Sequence, residues 1–110
     1  MMYDTYQELK EFVAEQISRL AYNNNISYRE LSVMLGYEES YVNHIVNNHQ
    51  NTSLKGLFDI TKYFKVDFHH FFNKNIKNPD LITAINEECE KLSREDLQSV
   101  LYIIRKMAKQ

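Results

Sequence analysis

At 110 residues the chain has room for one compact domain, or for a small domain with a helical appendage. Hydrophobic residues make up 44% and charged ones 25%, and no apolar run nears the ~18 residues that cross a bilayer, so a core is expected and a membrane span is not. The net charge of −2 carries no single-sign block, which weighs against a strongly basic nucleic-acid binder, and Cys89 is the sole cysteine, which excludes an intrachain disulfide.

The start bears Asp4 and Glu8 and lacks an apolar stretch, so it does not read as a signal peptide. With one cysteine this leads us to expect a reducing, cytoplasmic setting. In that setting the Asn-x-Ser triplets at Asn25 and Asn51 are coincidence. Two glycines and one proline leave little material for hairpins or phosphate loops and favour helices.

The first expected helix runs from Thr5 to about Asn23, with Leu9, Phe12, Val13, Ile17 and Leu20 on one stripe. It ends in Asn23-Asn24-Asn25, where Asn tolerates the left-handed conformation that closes a helix. Ser27 and Glu30 form a capping box for a second helix, whose expected buried face is Leu31, Met34 and Leu35. Gly36 stops it. A third helix is expected from Glu39 to Asn47, burying Val42, Ile45 and Val46. After a polar loop, Ser53 caps a fourth helix with Leu54, Leu57, Ile60 and Phe64. Asp67 caps a short fifth with Phe68, Phe71 and Phe72. No segment alternates with period two, so no strand is expected.

Residues 73–77 are polar and read as a linker. Asn78-Pro79 opens a sixth helix, with Pro where its missing N–H costs nothing. Its stripe is Leu81, Ile82, Ile85, Cys89 and Leu92, which makes Cys89 a packing residue. Ser93 caps a seventh helix, with Asp96 as a weaker capping-box partner, and Leu97, Val100, Leu101, Ile104 and Met107 recur at near-heptad spacing. The two helices read as a hairpin whose apolar side is covered either by the first helix or by a second copy of the chain.

Two short helices joined by a Gly-containing turn match the DNA-binding helix-turn-helix. The run Ser27-Tyr28-Arg29-Glu30-Leu31-Ser32-Val33-Met34-Leu35-Gly36, then Tyr41-Val42, Ile45, Asn47, Ser53-Leu54, Leu57, Ile60 and Phe71-Phe72, resembles the phage repressor/Cro-like (XRE) family. The resemblance covers about Ile17 to Phe72 and rests on linked spacings. It implies an all-α protein: a five-helix lambda-repressor-like domain over 1–72, a linker over 73–77, and a helical hairpin over 78–110. It further implies a sequence-specific regulator of transcription, a repressor, whose third helix enters the major groove.

On that resemblance Glu39, Ser40, Asn43 and His44 face base edges. Asn pairs bidentately with adenine and Glu accepts from cytosine N4, although the charge of Glu39 equally suits a helix N-terminus. Tyr28 and Tyr41 fall where the family contacts phosphates, as do Asn47, His49 and Asn51 in and after the third helix. The loop cations usual in the family are missing here. Arg29, Lys55 and Lys62 are the nearest cations, so weak non-specific binding and a shallow salt dependence are expected. Leu97, Val100, Leu101, Ile104 and Met107 are the expected homodimer contacts.

His44, His49, His69 and His70 lack metal-ligand spacing, and no phosphate loop, nucleophile elbow or framed acid pair occurs. No metal, cofactor or enzymatic activity is expected. The rival is a protein-binding helix-turn-helix, an adaptor or antitoxin-like module with little DNA affinity, which the acidic balance favours.

Overall fold

The computed structural model describes residues 3–47 and 50–109. Among them lie seven α-helices and no strand. No helix among the described residues is long and apolar enough to cross a membrane.

Helix α1 (Tyr6–Asn23) starts where the Thr5 hydroxyl accepts from the Glu8 amide at 3.0 Å, while the Glu8 carboxylate accepts from the Asp4 amide. It closes on Asn25, whose φ of +53° lets the Ile26 amide reach back to the Ala21 carbonyl. Helix α2 (Tyr28–Met34) opens on the complete Ser27–Glu30 capping box. It closes the same way, with Gly36 at φ +83° and the Tyr37 amide bonded to the Ser32 carbonyl. Helix α3 (Tyr41–Val46) is shorter than expected: Glu39 and Ser40 precede it, and Ser40 makes no side-chain cap.

Helix α4 (Leu54–Phe64) is capped by the Ser53 hydroxyl, which accepts from the Gly56 amide at 2.9 Å. It ends on a left-handed residue too, here Lys65 at φ +58°, with the Val66 amide on the Thr61 carbonyl. Helix α5 (Phe68–Phe71) is capped by Asp67, and α6 (Pro79–Cys89) begins on its proline. In α7 (Arg94–Ala108) the Ser93 hydroxyl accepts from the Asp96 amide.

One core joins α1 through α5. Val13, Ile17 and Leu20 meet Leu31 of α2, Val42 and Ile45 of α3, and Ile60, Phe64 and Phe71 beyond them. Met34 and Leu54, expected inside, are exposed. Met34 is in the last turn of α2 and Leu54 in the first of α4, at the rim of the stripes they continue. Phe68 and Phe72 are only partly covered, so Phe71 alone of that cluster is fully buried.

Segment 73–77 is polar but tethered. Buried Gln16 of α1 donates to the Phe71 carbonyl at 2.8 Å and to the Ile76 carbonyl, and Lys74 pairs with Glu8. Helix α6 then docks on α5 through Pro79 and Thr83, whose hydroxyl accepts from the Asp67 amide and bonds His70. The stripe Leu81, Ile82, Ile85 and Leu92 therefore stays exposed, and Cys89 is only half-buried. No residue of α7 is buried. The radius of gyration is 16.2 Å, against about 13 Å for a compact domain of this length. The chain is elongated, 48 × 32 × 25 Å, because its last helices add length without adding core.

Candidate nucleic-acid interface

The α2–α3 pair is held by one small polar residue. Ser32 is fully buried between the helices, donating to the Tyr28 carbonyl at 2.7 Å and accepting from the Val42 amide at 3.0 Å. That amide lies in the first turn of α3, where no intrahelical acceptor exists. One hydroxyl thus satisfies an orphan donor and fixes where α3 begins relative to α2. Val42 and Ile45 point into the core, and the opposite face of α3 is turned outward.

That outward face carries Ser40, Asn43 and Asn47, all exposed, with His44 half-buried beside them. The Asn47 amide donates to both the Asn43 carbonyl, at 2.9 Å, and Asn43 Oδ1, at 2.8 Å. Asn43 is thereby oriented: its NH₂ is directed away from Asn47, and its oxygen keeps a second lone pair. Asn51 and Gln50 are exposed in the following segment. His49, also expected at this surface, lies outside the described residues, as does Asn48.

The two expected phosphate-binding tyrosines differ. Tyr28 is half-buried and its hydroxyl shares a 2.7 Å hydrogen bond with Ser18 of α1, so it is committed to the scaffold. Tyr41 stacks on Tyr37 with ring centroids 4.0 Å apart and reaches over the start of α4. A Cβ added at Gly56 would stand 2.1 Å from the Tyr41 hydroxyl oxygen and 2.8 Å from Thr52 Oγ1. Any larger residue at this position would displace the Tyr41 hydroxyl from its place over α4.

The cations nearest this surface are paired. Arg29 bonds Glu39 at 3.2 Å, bridging the first turn of α2 to the residues before α3. Lys55 bonds Asp59 at 2.9 Å, and Asp59 also accepts from the Tyr37 hydroxyl at 2.6 Å. The Tyr37 hydrogen bond, then Lys55, holds the Asp59 carboxyl below its ordinary value, while the same contact raises Tyr37. The Lys62 ammonium lies 5.7 Å from the centre of the Phe58 ring. Among the described residues no group of three or more His, Cys, Asp or Glu is placed to hold a metal.

Ser32, Gly56 and the Tyr37–Asp59–Lys55 cluster escaped the reading of the sequence. Ser32 had a signal, since it follows Leu31 on the buried stripe of α2. The other two depend on contacts between segments separated by 15 or more positions, which periodicity does not reveal. Comparison with protein-family models, with curated proteins and with solved structures gives no match for this chain.

Proposed function

We propose that α2 and α3 form a helix-turn-helix that binds double-stranded DNA, with α3 in the major groove, and that the protein is a sequence-specific transcriptional regulator acting as a repressor by occlusion. In this reading residues 1–72 are a five-helix repressor-like domain, 73–77 the connection, and 78–110 a pair of helices outside it. The observation that supports it most is the division of α3. Its buried side is locked by Val42, Ile45 and the Ser32 hydroxyl, and its outer side offers uncharged hydrogen-bonding groups on a rigid element. Asn43, oriented by Asn47, is the base reader: its NH₂ donates to adenine N7 while its oxygen accepts from N6. Arg29 and Tyr41 serve the backbone, Arg29 by exchanging Glu39 for a phosphate.

A second reading has its own support. The pairing of Arg29 with Glu39 and of Lys55 with Asp59 neutralises two cations that phosphate binding needs, which favours a protein-binding module. Fluorescence anisotropy separates the two. The duplex upstream of the protein's own gene is compared with a scrambled one at two salt concentrations. DNA reading gives tighter binding to the native duplex, and Asn43→Ala with His44→Ala removes about 1–3 kcal/mol of that preference, roughly fivefold to 150-fold. Equal or absent binding to both duplexes at low salt discards the DNA reading in favour of a protein partner.

A further inference from the structure

Tyr6, Leu9, Lys10 and Val13 recur at spacings of three and four and so share one face of α1. Between that face and Ile45 of α3, Leu57 of α4 and Phe72 lies a cavity of about 130 Å³. Native interiors keep few voids larger than a water molecule, so an open space of this size beside the core is unusual. Val13 and Ile45 are buried, Leu9, Leu57 and Phe72 are half-buried, and the exposed Tyr6 and Gln50 mark the mouth.

We infer that this cavity is a binding site for a small uncharged aromatic molecule, a single ring with one polar substituent. Size sets the first limit. An apolar cavity of about 150 Å³ stays free of water and admits benzene. A space of about 130 Å³ with a mouth therefore takes one ring and not two. The walls set the second limit. The aliphatic side chains of Leu9, Val13, Ile45 and Leu57 offer water no hydrogen bonds, and a charge placed among them is costly. Lys10, the one charged wall residue among those described, already has a contact of its own and is no spare partner for an anion.

The preference for a ring comes from Phe72, which meets Phe71 and Phe68 edge to face with centroids 5.1 and 6.0 Å apart. A guest ring joins that cluster and gains an aromatic pair that an aliphatic guest lacks. Thr52 places the polar substituent. Its hydroxyl holds only long contacts, 3.5 Å to the Tyr41 hydroxyl and 3.4 Å to the Ser53 carbonyl, so a guest hydroxyl can improve on them. Occupancy also bears on α3. Ile45 lines the cavity, and the Gln50 amide donates to the His44 carbonyl at 3.3 Å, so the wall takes in the end of α3 and the segment after it. A guest braces the end of α3 against α1, whatever α3 binds.

Phenol is the probe, titrated into the full chain and followed by methyl NMR spectra. Saturable shifts are expected at the methyl groups of Leu9, Val13, Ile45 and Leu57. Amide exchange in α3 is expected to slow about tenfold with phenol at ten times its dissociation constant. Leu57→Phe, which fills the space with a side chain, is expected to weaken phenol binding at least tenfold while the protein still melts cooperatively. Leu57→Ala enlarges the space and is expected to admit naphthol, which the natural chain refuses. Benzoate is expected to bind at least tenfold more weakly than phenol. Shifts that do not saturate, that fall on α6 and α7 instead, or that persist undiminished in Leu57→Phe overturn the inference, as does a Leu57→Ala protein that refuses naphthol. Benzoate binding more tightly than phenol overturns the uncharged class, and unchanged exchange in α3 at saturation overturns the bracing.

Discussion

Among the described residues three helix ends close on a residue with positive φ, and they differ in how well that residue suits the conformation. Gly36 adopts it freely and Asn25 tolerates it, but Lys65 carries a Cβ and no short polar group to offset the strain. Lys65 is exposed and enters no ion pair in the described structure, so replacing it removes strain without removing a contact. Lys65→Gly is expected to stabilise the fold by about 0.5–1 kcal/mol, a rise of a few degrees in thermal midpoint. A lower midpoint would refute the strained assignment. Asn25 and Gly36 were legible in the sequence because their types announce such a turn. Lys65 was not, because a lysine there says nothing about φ. Met34 and Leu54 failed for a related reason: periodicity assigns a face to a residue but does not say how far along the helix its covering neighbour extends.

Asp59 is held below its ordinary 3.8 by the Tyr37 hydroxyl and then Lys55, and Glu8 below its ordinary 4.5 by Lys74 and then the Asp4 amide. A carboxylate lowered in the fold adds stability above its unfolded value and loses it as pH falls through its folded value. The thermal midpoint should therefore decline from about pH 4.5 downward. Asp59→Asn should flatten the part of that decline below pH 4, because it removes a proton that only the unfolded chain binds readily there. Melting curves from pH 6 to pH 3 on both proteins decide this, and parallel slopes would remove Asp59 as a contributor.

At the level of elements, the second helix was read nearly to its ends because every local cue agreed: a capping box, an apolar stripe and a glycine stop. The third was read too long. Ser40 makes no cap, and the start of α3 is set instead by the Ser32 hydroxyl from a neighbouring helix. That contact carries a prediction. Ser32→Ala leaves the Val42 amide buried without an acceptor, at a cost of about 1–3 kcal/mol. If α3 reads DNA, the same change loosens α3 on α2 and reduces preference for the native duplex by more than it reduces non-specific binding. Ser32→Gly should not rescue either quantity, whereas Ser32→Thr should recover part of the stability if the cavity admits a methyl. Urea unfolding and anisotropy on these variants measure the two effects separately. Unchanged stability in Ser32→Ala would mean that water or a small shift satisfies the amide.

For the whole molecule the governing quantity is charge. A net charge of −2 gives DNA no long-range attraction, and the cations beside α3 are shared with carboxylates. If α3 reads DNA, a phosphate contact by Arg29 or Lys55 requires breaking an ion pair, and exposed pairs of this kind are worth only about 0–1 kcal/mol. The exchange is nearly neutral, so if α3 reads DNA the binding has to draw on base contacts. The slope of log K against log salt is about −0.9 per phosphate neutralised. Two copies that each engage Arg29 and one lysine neutralise about four phosphates, for a slope near −3.5. Anisotropy titrations between 50 and 200 mM salt should give roughly that value if two copies bind together, and about half of it if one copy binds alone. A slope of −7 or steeper, the signature of about eight ion contacts, would show that cations far from α3 carry the binding. The major-groove assignment of Ser40, Asn43 and Asn47 would then fail, and the DNA would have to lie along a surface other than α3.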